Sequence, residues 1–188
     1  MPVSGATSAA ITSPVDGSGN VKVNVSAGTL GLTGSVGVTT RSAAVTLTPT
    51  VTASAYSIKN VVGGLLAFPN AFGTAQSGVL QSVTLTFKSA QTVGFELFVF
   101  NANPSSSTFT DKSAPSLNAA DVAKLVGSPI SLTLSNSDLG TGTVYGADSV
   151  GRAIVSASTT LYAVLLTTGT PTPGSTSDVA ITVHILQD

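Results

Sequence analysis

The sequence predicts an all-β protein: an antiparallel β-sandwich or jelly-roll-like domain with one short helix, preceded by an extended N-terminal arm. Three observations predict it. Short segments rich in Val, Ile, Leu and Thr alternate apolar and polar residues, the period of a half-buried strand. Clusters of Gly, Ser, Thr, Asn and Pro separate them, as turns require. Only one stretch carries helix start and stop signals.

The arm is assigned to residues 1–54 and the sandwich domain to residues 55–188. Residues 1–54 hold no aromatic residue, and their charges are Asp16, Lys22 and Arg41 alone. Asp16-Gly17-Ser18-Gly19-Asn20 reads as a turn, and Val21-Lys22-Val23-Asn24-Val25 after it as a short strand. Gly28, Gly31, Gly34 and Gly37 punctuate the next segment, and Val45-Thr46-Leu47-Thr48 alternates again before Pro49. So few large side chains cannot build a core. Two readings remain, a disordered linker or an arm that gains order by adding strands to a neighbouring subunit.

In the domain, Val79 to Lys88 alternates, with Val79, Val83, Leu85 and Phe87 against Ser82, Thr84, Thr86 and Lys88. Thr92 to Phe100 is apolar on both faces, with Glu96 beside Phe98 and Phe100, the pattern of a strand covered on both sides. The two, joined through Ser89-Ala90-Gln91, are expected to form a hairpin. Asn118 is the expected helix N-cap and Asp121 favours the helix dipole. Val122, Leu125 and Val126 form the apolar stripe, and Gly127 with Pro129 the stop. This helix is expected to plug an open end of the sandwich. Further strands are expected at Ile130–Leu134, Thr143–Tyr145, Ala153–Ser156, Leu161–Thr168 and Val179–Leu186.

Composition narrows the function. Only 8% of the 188 residues are charged, where ordinary domains carry about 25%. Such a chain has little electrostatic repulsion to hold it away from its neighbours, which points to assembly. The net charge is −1, and Lys22, Arg41, Lys59, Lys88, Lys112, Lys124 and Arg152 form no run, so nucleic-acid binding is not expected. Cysteine is absent, which removes disulfides, thiol nucleophiles and Cys-ligated zinc. Mean hydropathy is +0.44, but the apolar pieces, such as Leu65-Leu66-Ala67-Phe68, are far shorter than a membrane-spanning helix. The start, Met1-Pro2-Val3-Ser4-Gly5, has no basic and apolar leader pattern. A soluble protein without membrane contact, made without an export signal, is expected.

No chemistry-bearing constellation stands out. His184 is the sole histidine, too few for a His-based metal site and without an identifiable triad partner. Glu96 is the sole glutamate; a partly buried carboxylate there invites a general-acid role, with an ion pair to Lys88 as the structural alternative. Asp111, Asp121, Asp138 and Asp148 fall at turns or a helix start, without the spacing of an EF-hand loop. Gly63-Gly64 and Gly140-Thr141-Gly142-Thr143 lack the context of a phosphate loop and read as bulge or hairpin glycines. Without Trp, and with Tyr56, Tyr145 and Tyr162 far apart, no sugar platform is apparent. No catalytic, cofactor-binding or metal-binding residue is assigned; the protein is expected not to be an enzyme and to need no cofactor.

The stretch from Ala55 to Gly127 resembles small structural proteins of tailed bacteriophage virions. The likeness is carried by Val62-Gly63-Gly64-Leu65-Leu66-Ala67-Phe68-Pro69-Asn70-Ala71 and Gly78-Val79-Leu80-Gln81-Ser82-Val83-Thr84-Leu85. It continues in Phe98-Val99-Phe100-Asn101-Ala102-Asn103-Pro104, Thr108-Phe109-Thr110-Asp111-Lys112 and Asp121-Val122-Ala123-Lys124. The resemblance implies a virion protein. The expected role is a capsid decoration (cement) protein on the outside of the head, bound to the major capsid protein and to itself as a homotrimer. A head-fibre, tail or baseplate component, or a carbohydrate-binding module, is the alternative.

Overall fold

A computed structural model describes residues 41–136 and 140–188. The expected strand Val21–Val25 and Asp138 lie outside the described residues. The described strands run in chain order β1 (Arg41–Leu47), β2 (Val61–Phe68), β3 (Ser77–Phe87), β4 (Phe95–Phe100), β5 (Ile130–Asn136), β6 (Thr143–Ala147), β7 (Arg152–Val155), β8 (Leu161–Thr167) and β9 (Val179–Gln187), with helix α1 (Ala119–Val122) between β4 and β5.

All pairings are antiparallel, in the order β1-β9-β3-β6-β5-β4-β8-β2, with β7 paired to the start of β3. The halves β1-β9-β3-β6 and β5-β4-β8-β2 face each other across one core, and successive strands cross repeatedly from one half to the other. That connectivity is a jelly roll. The sheet is continuous at one side, where β5 pairs with β4 through Ile130–Leu132 and then with β6 through Thr133–Asn136. The other side, between β1 and β2, is an open seam.

Alternation explains the core. Leu80, Val83, Leu85 and Phe87 of β3 and Val179, Ile181, Val183 and Ile185 of β9 point inward from one half. Phe95, Leu97 and Val99 of β4 and Leu161, Ala163 and Leu165 of β8 meet them from the other. Phe87 and Phe95 stack at 5.1 Å between ring centres, and Tyr145 stands edge-on to Phe95 at 5.0 Å. The two-faced pattern of β4 has its cause in a second, smaller cluster. Phe100, Val61, Val164 and Leu166 pack outside the sheet with Phe98, Phe109 and Leu125.

Four expectations change. β3 and β4 are not a hairpin: residues 88–94 carry the chain from one half to the other. The crossover's polar groups are held by the loop before β9, with Lys88 N–H donating to the Asp178 carbonyl (3.0 Å) and Gln91 exchanging hydrogen bonds with Thr172 (2.9 and 3.0 Å). β2, not foreseen as a strand, is broken by a bulge in which Gly63 and Gly64 loop out between Val62 and Leu65. α1 has the expected Asn118 cap, its side chain accepting from Ala120 N–H, but the apolar stripe divides. Val122 is exposed, Leu125 joins the outer cluster and Val126 joins the main core, so this crossover covers the outer face of β4 and β8 instead of plugging an end. Finally, the part of residues 1–54 that is described, from Arg41 on, packs with the domain. β1, assigned to the arm, pairs with β9 from Arg41↔Gln187 to Leu47↔Ile181 in its own chain. A strand needs backbone partners more than aromatic side chains, and Val45 and Leu47 add enough apolar surface to seat it.

Candidate functional site

Three carboxylates fasten loops, two of them buried. Asp111 gathers four groups: the backbone N–H of Thr52 (2.8 Å), the Thr52 hydroxyl (2.7 Å), the Tyr56 hydroxyl (2.8 Å) and the Gly63 N–H (2.7 Å). It thereby ties the chain after β1 to the bulge of β2. Burial and the adjacent carboxylate push the Tyr56 phenol well above its ordinary pKa. Asp121 is fully buried and accepts from Lys124 Nζ (2.7 Å), Ser107 Oγ (2.6 Å) and Ser106 N–H (2.9 Å). Its hydrogen bonds to the Lys124 ammonium and the Ser107 hydroxyl hold it below the usual carboxylate range against the opposing effect of burial. Asp178 accepts from the backbone N–H groups of Ser89 and Gly174, both at 3.0 Å. Asp148 is exposed beside β6.

The other candidates stay apart. His184 is exposed on β9, paired in register with Ala44 and Ser82, and no cluster of three metal-ligating side chains occurs among the described residues. Glu96 is half-buried on β4 opposite Ser131 and Leu166. It does not pair with Lys88, because Lys124–Asp121 is the one salt bridge among the described residues. Tyr56 and Tyr145 are buried, which leaves only Tyr162 with a partly open ring. Gly63 and Gly64 both have φ of 75°, as bulge glycines should, and Gly140 lies in the turn before β6.

Apart from a small hollow of about 80 Å³ beside His184, Ala44 and Gln81, three larger concavities lie among the described residues. The first, about 300 Å³, opens where β5 leaves β4 for β6; Thr92, Glu96, Thr133, Leu134 and Thr168 line it, with Tyr145 at its base. The Tyr145 hydroxyl is buried without a hydrogen-bond partner, and burial raises its pKa to about 12. It is thus a neutral phenol in the physiological range, held in an aromatic cluster with Phe87 and Phe95. The second, about 120 Å³, is an apolar slot among Phe98, Phe109, Pro115, Leu117 and Leu125 on the outer cluster. The third, about 240 Å³, is the seam, between Leu47-Thr48-Pro49 and Gly63, Leu65, Leu66 and Ala67.

The two sides of that seam differ. At the bulged end of β2 the edge is occupied by the chain itself: Val61 N–H donates to Ser113 O (2.9 Å), Lys112 N–H to Val61 O (2.8 Å) and Gly63 N–H to Asp111. β1 runs seven residues without a bulge or proline, and no described strand pairs with its outer edge. Sequence reasoning noted the alternation of residues 45–48 but gave no sign that they form one wall of a groove, because the other wall lies some twenty residues further on, past a turn.

Among the described residues no helix is long and apolar enough to cross a membrane. Compared with known proteins, the chain matches no family model and no curated protein.

Proposed function

We propose that this protein is a structural component of a bacteriophage virion: a capsid decoration protein that binds the outer surface of the head and stabilises it. The observation that carries the reading is where the N-terminal segment enters the fold. Residues 1–40 lead directly into β1, the edge strand of the jelly roll, so strand addition beside β1 would link one copy to its surroundings through backbone hydrogen bonds. Each such bond is worth only about 1 kcal/mol net, so a row of them with apolar contacts must act together. The scarcity of charge supports the same reading, since self-repulsion is weak. Jelly rolls occur in viral capsid proteins and in lectins, so the fold suits a capsid role by analogy.

On this reading the partners are the major capsid protein and further copies of the chain in a trimer, the place is the capsid surface, and the chain works without catalysis or cofactor. The test is binding to heads stripped of the protein. Full-length protein is expected to restore density on the capsid faces in electron micrographs and to raise the heads' resistance to heat. Density confined to the tail, or no binding to heads, overturns the decoration role and favours a tail or baseplate component.

A further inference from the structure

We propose that the seam between β1 and β2 is a docking groove for an extended segment, and that its occupant is Val21–Val25 of a second copy of this chain. The inference rests on the reading of residues 1–40 as an inter-subunit arm and adds the acceptor to it.

The argument begins with backbone accounting. An edge strand exposes a row of N–H and C=O groups, and proteins usually blunt such edges with bulges, prolines, charges or a covering segment. The β2 edge is blunted twice, by the Gly63-Gly64 bulge and by residues 111–113. The β1 edge has one charge, Arg41 at its first residue, and no bulge or proline. Ala43, Val45 and Leu47, the inward-facing residues of β1, are only half-buried, and Val45 and Leu47 touch the main core. They are the margin of a core that stops short of closure.

An occupant must therefore alternate, with small β-branched residues on its inner face and polar residues outside. Val21, Val23 and Val25 provide the first, and Lys22 and Asn24 the second. Residues 26–40, between this segment and Arg41, can span up to about 50 Å when extended, enough to reach a neighbouring molecule. A chain with only 8% charged residues opposes that approach weakly. A strand seated in the seam would hydrogen-bond along β1 and cover Val45 and Leu47.

The absence of native cysteine makes a clean test possible. Two single-cysteine variants of the full-length protein, N24C and A44C, both on the outer face of their strands, are mixed and oxidised; Ala44 is exposed, so the fold tolerates the change. A disulfide requires Cα atoms within about 7 Å, so it reports adjacency. The expected result is an N24C–A44C heterodimer at several times the yield of N24C mixed with L134C, a variant exposed on β5 at the continuous side of the sheet. A second readout is mass in solution: V23D is expected to lower the oligomeric mass that wild-type protein shows. Equal yields from the two mixtures overturn the proposal. So does an N24C/A44C double variant that closes within single chains at high dilution, because the arm would then serve its own seam. Both measurements use isolated protein, so failure to bind phage heads would remove the decoration role and leave this result standing.

Discussion

At the scale of single residues, the Tyr145 hydroxyl is the one buried side-chain polar atom among the described residues without a hydrogen-bond partner, and it gives a prediction. Its hydroxyl is buried beside Phe87 and Phe95 without a partner, and an unsatisfied buried polar group costs about 1–3 kcal/mol. Tyr145→Phe keeps the ring and removes the orphan. It is expected to raise stability by about 1 kcal/mol, read as a higher urea midpoint at unchanged slope. A lower midpoint would mean that the hydroxyl has a partner in solution.

Asp121 gives a prediction with a definite sign. Its pKa in the folded chain is depressed, chiefly by its hydrogen bond to Lys124, so the stabilisation is fully present above the unfolded-state value of about 3.9 and is lost as pH falls through the folded value. Wild-type protein and Asp121→Asn should therefore differ in unfolding midpoint by a constant amount from pH 7 to about pH 5, and the gap should close below about pH 4. A gap independent of pH would show that the carboxylate's charge contributes nothing.

At the scale of elements, the bulge in β2 is the most constrained feature. Gly63 has φ of 75°, and a Cβ there would collide with the Pro49 ring; Gly64 has the same φ but meets only the Phe109 carbonyl, at 3.3 Å. Gly63→Ala is expected to cost at least about 2 kcal/mol, from left-handed strain and overpacking together, and Gly64→Ala clearly less. Thermal unfolding of the two variants checks the order. Equal losses would mean that Pro49 moves aside freely.

The same elements show what the sequence could and could not disclose. Alternation located β3, β4, β5, β6, β7, β8 and β9 because each has a core-facing side. It missed β2 because two glycines interrupt the period. It also mispaired β3 with β4: periodicity reports which face of a strand is buried, never which strand lies beside it, and a short polar link looks like a hairpin whether the chain turns back or crosses to the other sheet. The Asp111 cluster was out of reach for a related reason. Thr52, Tyr56, Gly63 and Asp111 are scattered in sequence, and nothing local to any of them signals the others. Glu96 and His184 drew notice as the only residues of their kind, but rarity is not proximity, and the fold leaves them on different strands with separate neighbours.

For the whole molecule, the deciding quantity is the balance between ionic and non-ionic contact. With 8% of residues charged and one salt bridge among the described residues, within a single chain, little is available for ionic pairing between copies. Edge-strand hydrogen bonds and apolar burial depend on salt in the opposite way to ion pairs. Raising ionic strength from 0.1 M to 1 M shortens the screening length from about 10 Å to about 3 Å, which weakens attraction between exposed charges, while apolar burial is unchanged or strengthened by excluded salts. If copies join through the open β1 edge and its Val45 and Leu47 margin, sedimentation at the two salt concentrations should give the same or a larger mass. Urea at concentrations below the unfolding transition should dissociate the assembly first, because it solvates both peptide and apolar groups. Dissociation by salt alone would place the contact on the scattered lysines and carboxylates, and the seam would then have no part in holding copies together.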